Sequence, residues 1–361
     1  MLRGIREIIR SPSGAIRWCT TAVLAMLLLT GCGNRRGSSV ASSGIVTLAA
    51  VGDILLDRGV NQQIQQRGIA YPFAEVAPIL GRADLRYGNL ECPLSAHGIK
   101  VVKRFCFKAP PANVRSLGLG HISVASLANN HTMDCGRPGL VETMQTLRGA
   151  GIRWCGAGAN ASEAEAPTIF RVHGLRVAFV GFCEFVPEGS AVRTDRPTIA
   201  FSSDATIRRS VARARRQADV VVACFHWGVE YQSRPTPGQI EMAHTAVDAG
   251  ADLVLGDHPH VLQGIERISR GGRRALIIYS LGNFVFDQGL SVERGEGPVT
   301  DTAILEFSLN RSGVAGARVI PVMIENYRPC PATGADAHRI LSRMAGLSRE
   351  LGTRMHGGIV L

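Results

Sequence analysis

The chain has 361 residues, 45% of them hydrophobic and 19% charged. That supplies a core for one large domain or two ordinary ones and excludes a disordered or collagen-like protein. The formal net charge of +11 is nearly all arginine, since Lys100, Lys103 and Lys108 are the only lysines; it suits a polyanion or an anionic membrane, while the lack of a basic patch interleaved with aromatics argues against nucleic acid as a partner.

Residues 1–17 are basic, with Arg3, Arg6, Arg10 and Arg17 against Glu7. A short apolar run from Thr20 to Thr30 follows, too short to span a bilayer comfortably and suited to the h-region of a secretory signal. It ends in Leu29-Thr30-Gly31-Cys32, which resembles a bacterial lipobox. We therefore expect a lipoprotein signal peptide over 1–31, with Cys32 lipidated as the mature N-terminus; an uncleaved signal anchor is the alternative. Residues 32–44, rich in Gly and Ser, read as a flexible tether. This places the folded part at the extracytoplasmic face of the cell membrane. Cysteine usage suits that compartment. Cys92 with Cys106, and Cys135 with Cys155, are close enough in sequence to pair, whereas Cys224 lies in an apolar run and reads as a buried thiol.

From residue 45 the pattern alternates. Strands are expected over 45–51, 85–90, 121–126, 152–155, 177–182, 220–225 and 253–255, and helices over 73–80, 113–119, 138–150, 204–217 and 237–249. Pro138 and Pro237 fit first helical turns and Ala150-Gly151 and Ala249-Gly250 fit helix stops. The alternation predicts an α/β domain with a largely parallel sheet. Strand-like segments over 261–268, 274–280, 302–309 and 316–323 are joined by glycine-rich turns and suggest antiparallel pairing, as in a second sheet. We assign one domain to 45–330 and a terminal segment over 331–361 carrying an amphipathic helix.

Five polar segments each sit at the end of an apolar run, where open α/β sheets bind ligands. Gly52-Asp53 offers a hard oxygen after a residue that permits a sharp turn, or else an Asp capping the next helix. Asn89 and Glu91 share a face if the strand continues, and a buried-edge Glu is costly unless paired or metal-bound. Asn129-Asn130-His131 combines neutral carbonyl oxygens with a proton-transfer group, or forms an Asn-rich turn. His226-Trp227-Gly228-Val229-Glu230 follows a very apolar strand, and Glu230 either orients His226 or faces solvent. Asp257-His258-Pro259-His260 holds two imidazoles across a proline, a chelating arrangement suited to zinc, manganese or iron. A sixth segment, 279–287, delivers Asn283 and Asp287 to the same edge or simply connects strands. No GxSxG elbow and no GxxxxGK[ST] loop is present, which argues against serine-nucleophile and P-loop chemistry.

Taken together, Ala50-Val51-Gly52-Asp53, Asn89-Leu90-Glu91, Ser126 through His131, His226-Trp227-Gly228, Gly256 through His260 and Tyr279 through Phe284 resemble the CapA family, named for poly-γ-glutamate capsule biosynthesis. The resemblance runs from about 45 to 325 in unbroken order. It implies a fold similar to calcineurin-like metallophosphatases, a four-layer α/β sandwich of two β-sheets flanked by helices, with two divalent metal ions (Mn, Zn or Fe). It further implies Asn130 as a ligand and His131 as a proton donor, His258 and His260 as a His-x-His ligand pair, and His226 as an isolated ligand. Asp53 alone matches the opening Asp-x-His of those enzymes, and Asn89-Leu90-Glu91 stands where a second Gly-Asp motif is usual. The expected metal set is Asp53, Glu91, Asn130, His226, His258 and His260, with His131 and Glu230 as catalytic residues. Two functions follow. One is a metal-dependent hydrolase attacking a phosphoester or amide; the other is a non-catalytic accessory that binds an anionic polymer or a polymer-synthesis complex at the membrane.

Overall fold

The computed structural model describes residues 44–187, 194–270, 273–288 and 298–361. The targeting segment 1–31, Cys32 and nearly all of the tether lie outside the described residues.

All but two of the strands among the described residues form one large mixed sheet, while Ala157–Gly158 and Thr198–Ile199 pair apart from it. Its hydrogen-bonded path runs Arg153–Cys155, Val124–Ser126, Leu85–Leu90, Val46–Ile54, Asp301–Asn310, Gly313–Glu325, Arg273–Ile278, Leu253–Asp257, Val220–His226, Leu175–Cys183 and Thr168–Val172. The first four strands pair in parallel, as do the four from Arg273–Ile278 through Leu175–Cys183. Strands such as Val220–His226 are buried along their whole length, as expected of parallel strands covered on both faces. The antiparallel pair Asp301–Asn310 and Gly313–Glu325 closes against Val46–Ile54.

The two halves of this path meet at a single residue pair, Arg274 with Gly313. One backbone contact of about 1 kcal/mol does not hold them together; side-chain burial does. Leu48, Ala50, Tyr87 and Val124 of one half share a buried cluster with Phe179, Val222, Leu255 and Ile278 of the other. Each such large side chain contributes about 1.5–3 kcal/mol when fully buried. The opposite faces are covered by helices. Ala49 and Val51 pack with Val60, Leu117, Leu140 and Met144, and Val180, Val221 and Phe225 pack with Ile207, Val211, Ala243 and Ala246.

Several elements differ from expectation. The helix expected over 73–80 is a short 3-10 turn, Tyr71–Phe73, and a four-residue helix, Ala77–Leu80. Pro78 has no N–H to continue a longer ladder. The strand Thr168–Val172, half-buried at the sheet edge, and the helix Arg58–Arg67, which buries only Val60 and Ile64, are not among the expected elements. The tail strands join the main sheet rather than standing apart, because Arg273–Ile278 pairs in parallel with Leu253–Asp257 while also forming a hairpin with Ile265–Arg270. The helix Gly334–Glu350 buries Ile340 and Met344 in the central cluster, and a hairpin follows whose Ile359 pairs with Arg318.

Neither of the two possible disulfides forms, for all seven cysteines from Cys92 onward are free. Cys92 Sγ accepts the Leu56 N–H, while Cys106 Sγ lies 3.2 Å from the Asp134 carbonyl. Cys135 Sγ faces the Phe107 carbonyl at 3.6 Å, so sequence proximity was a poor guide to the surroundings of these thiols.

Candidate metal centre

The parallel strands end at one edge, and register aligns their polar tips. Asp53 stands opposite both Asn89 and Asn283, and Asp257 opposite His226. Glycines permit this crowding. A Cβ on Gly52 would lie 1.8 Å from the Gly282 carbonyl oxygen, which accepts the Asp53 N–H at 3.0 Å. A Cβ on Gly256 would lie 2.1 Å from the Tyr279 carbonyl oxygen.

Asp53, Asn89, Glu91, His226, His258 and His260 all reach this edge and are buried. His258 and His260 have φ of 99° and 59°. Non-glycine residues in that region cost about 1–3 kcal/mol each and persist where function holds them. Asn89 ties the tips together, its Nδ2 donating to Asp53 Oδ1 at 2.8 Å and lying 3.2 Å from His226 Nδ1. His226 Nε2 faces Asn130 Oδ1 at 3.0 Å. His260 Nδ1 lies 2.9 Å from Asn283 Oδ1 and 3.2 Å from Asp53 Oδ2.

Glu91 is the focus. It is fully buried, and neither carboxylate oxygen has a hydrogen-bond partner. Its Oε1 lies 3.7 Å from His226 Nε2 and 3.9 Å from the Nε2 atoms of His131 and His260. Those separations are too long for hydrogen bonds and fit groups converging on a cation. His258 Nδ1 is also buried without a partner. Three overlapping groups have ligand atoms within 4.8 Å of one another: Asp53, Glu91 and His260; Glu91, His226 and His258; and Glu230, His258 and His260. The nitrogen and oxygen donors match manganese, iron or zinc. The residues therefore fit a divalent metal, with Glu91 common to the first two groups.

Electrostatics points the same way. Burial, then the nearby Asp53 and Asp257 charges, pushes the Glu91 carboxyl well above its usual range. Asp257 is raised well above its range by burial and by Asp53, and its Oδ2 accepts the Tyr87 hydroxyl at 2.6 Å. Burial and the neighbouring histidines hold His226 and His258 well below the ordinary imidazole value, leaving neutral imidazoles able to ligate. For His260, burial lowers the value, but its bonds to Asp53 and Asn283 reverse the sign and it ends raised. Crowded carboxylates beside neutral imidazoles are the charge pattern that a cation relieves.

His131 sits beside this cluster. Its Nδ1 lies 2.8 Å from Asp134 Oδ2, and its ring stacks on Phe107 with centroids 4.1 Å apart. The Phe107 N–H donates to Asp134 at 2.6 Å, and the buried Lys103 ammonium pairs with the same carboxylate. Asp134 thus fixes the ring, leaving Nε2 turned toward Glu91 at 3.9 Å. Burial lowers the His131 value despite Asp134. An open cleft of about 670 Å³ leads to the cluster, lined by Lys103, Asn130, Phe185, Val229, Glu230 and His258 among others.

Asp53, Glu91, Asn130, His131, His226, His258 and His260 are thus brought together. Glu230 is exposed and belongs with His258 and His260, not with His226, whose ring nitrogens face the two asparagines Asn89 and Asn130. Asn283 reaches the cluster, whereas Asp287 pairs with Arg58 and accepts the Gly59 N–H instead. Asn89, Asp134 and Lys103 were missed as functional residues. Asn89 shares the Glu91 motif and Asp134 follows His131 at a spacing of three, but nothing in the sequence links Lys103 to either.

The fold and site define an α/β protein with a buried cluster of histidines and carboxylates, able to hold a cation, at the ends of its parallel strands. The chain belongs to the bacterial capsule synthesis protein family PGA_cap, whose profile matches residues 47–288. It is 31% identical to the capsule biosynthesis protein CapA of Bacillus anthracis, over 89% of this chain and 79% of that protein. It is 28% identical to a probable polyglutamine synthesis accessory protein of Mycobacterium tuberculosis, over 86% of this chain and 93% of that one. A 5'-nucleotidase precursor from Thermus thermophilus superposes with a TM-score of 0.48 and 11% identity, covering 85% of this chain and 59% of that one.

Proposed function

We propose that this chain serves bacterial capsule or poly-γ-glutamate synthesis as a metal-dependent hydrolase, lipid-anchored through Cys32 at the extracytoplasmic face of the membrane. The similarity to CapA supports the process. The observation that carries the chemistry is Glu91, a buried carboxylate without a hydrogen bond, ringed by His131, His226 and His260. Asp53, Glu91 and His260 would hold one divalent ion, and Glu91, His226, His258 and Asn130 a second. The three packed layers of side chains described above support reading the two halves of the sheet as the two sheets of a metallophosphatase-type four-layer sandwich. The lipobox-like Leu29-Thr30-Gly31-Cys32 supports the anchor.

When bound, the ions would supply Lewis acidity toward a phosphoryl or carbonyl oxygen. The residues of the chain do the rest. Asp134, held by Lys103 and the Phe107 N–H, orients His131 so that Nε2 moves a proton at the mouth of the cluster. Phe107 and Phe185 cover the rings of His131 and His258 and limit water there. The test is turnover of phosphoesters and γ-glutamyl amides by manganese-loaded protein and by His131→Asn. A loss of about 10²–10⁴-fold with metal content unchanged supports the reading.

A second reading is a non-catalytic accessory, favoured by the name of the mycobacterial relative. It predicts tight binding of polyglutamate without turnover in either chain, and that result would sink the hydrolase.

A further inference from the structure

Between Glu91 and Asp134 the chain contains no acidic residue, while Lys100, Lys103, Arg104, Lys108 and Arg115 all fall there. The middle of this stretch is a loop at the mouth of the cleft, where Lys103 is one of the lining residues. Three large apolar side chains, spaced three apart, project from it into solvent. Ile99 is 84% exposed, Val102 fully exposed and Phe105 51% exposed. Val186 and Val229, which line the cleft beside Lys103, are exposed as well.

The loop is nevertheless tied down. The Val101 N–H donates to the Asp134 carbonyl at 2.9 Å, and the Ala96 and His97 N–H groups donate to Glu142. Lys100 Nζ donates to the Cys106 carbonyl at 2.9 Å, closing the loop on itself. Gly98 fits so tightly that a Cβ would lie 2.7 Å from Cys135 Cβ. With its backbone anchored, the apolar tips are held in water at a standing cost of unburied surface. Arg104 lies over the Phe105 ring at 5.1 Å and joins no ion pair among the described residues. Lys100 lies 3.9 Å from Asp57 and Lys103 pairs with Asp134, so the cation left unpaired among these tips is Arg104, and exposed apolar side chains beside it fit an interface of acyl chains and anionic headgroups. A dissolved polyanion would engage the cations and leave Ile99, Val102 and Phe105 in water.

We propose that the loop around Ile99, Val102 and Phe105 is a membrane-docking element that sets the cleft mouth against an anionic lipid surface. It stands independently of the metal chemistry and of any anchor at Cys32. The experiment uses the full chain carrying Val102→Trp, with brominated lipids as quenchers, in vesicles of phosphatidylcholine with phosphatidylglycerol and of phosphatidylcholine alone. Trp18, Trp154 and Trp227 emit in every variant, so the loop is read as the difference from a second tryptophan variant, in which binding through the N-terminus cancels. Ile359→Trp, at another exposed apolar position, is the control. The expected result is quenching of Val102→Trp at least about twofold stronger than in the control, only with the anionic vesicles, and lost on adding Arg104→Glu. Quenching no stronger than that of Ile359→Trp would overturn the proposal. So would an emission change on adding soluble polyglutamate with no lipid quenching, which would assign the loop to an anionic chain.

Discussion

Replacing Glu91 with Gln should move stability in opposite directions without and with metal. In the metal-free chain both carboxylate oxygens are buried and unbonded, and an unsatisfied buried group costs about 1–3 kcal/mol, more when charged. Gln keeps the shape and cannot ionise, which removes the cost of burying or protonating the carboxylate, so metal-free Glu91→Gln should be more stable by about 1–3 kcal/mol. For a domain of this size that is on the order of 5 °C in Tm. With metal the order should reverse. A metal at a hundredfold excess over its Kd stabilises by about 2.7 kcal/mol per site, and the carboxylate common to two of the ligand groups is the one removed. The assay is thermal unfolding of both proteins in a chelator and then in excess manganese. If Glu91→Gln destabilised the metal-free chain by more than about 1 kcal/mol, or if metal left the order of the two Tm values unchanged, Glu91 would be a structural residue and the argument wrong.

Three further outcomes follow from the same geometry. Lys103→Met strips the ammonium from buried Asp134 and should cost about 3–5 kcal/mol in urea unfolding; a loss below about 1 kcal/mol would mean solvent replaces the lysine. Gly52→Ala drives a Cβ into the Gly282 carbonyl oxygen and should destabilise by at least about 3 kcal/mol, whereas near-wild-type stability would show that the strand can shift. Asp219 is held below its ordinary value of 3.8 chiefly by its hydrogen bond with Arg176. A lowered folded-state value stabilises above the ordinary carboxyl range and is lost as pH falls through the folded value. The stability gap between wild type and Asp219→Asn should therefore be constant near neutral pH and close below 3.8; a gap that persists in acid would contradict the assignment.

The strand tips were legible because apolar runs such as 220–225 end abruptly in polar residues that a core cannot hold unpaired. Parallel pairing then brings those ends to one edge, so Asp53, Glu91, His226, His258 and His260 were identifiable before their geometry. What escaped depends on contacts distant in sequence. Lys103 meets Asp134 across 31 residues from an irregular loop, and no periodicity encodes that meeting. Asn89 read as a companion to Glu91, yet its work is to bridge Asp53 and His226. Of the two readings of Glu230, orienting His226 or facing solvent, the residue is exposed, and its adjacency to His226 does not survive the turn at Gly228, whose φ is 85°. The tail strands looked like a separate sheet because hairpin signals are local, whereas the parallel pairing of Arg273–Ile278 with Leu253–Asp257 is not.

The central claim is that these strand tips hold divalent metal. The most direct test is elemental mass spectrometry of the purified protein beside a His258→Ala/His260→Ala double variant of the same chain. The account predicts stoichiometric manganese, iron or zinc in the parent and its loss in the variant. A parent without metal after incubation with all three ions, or a variant that retains it, would contradict the claim.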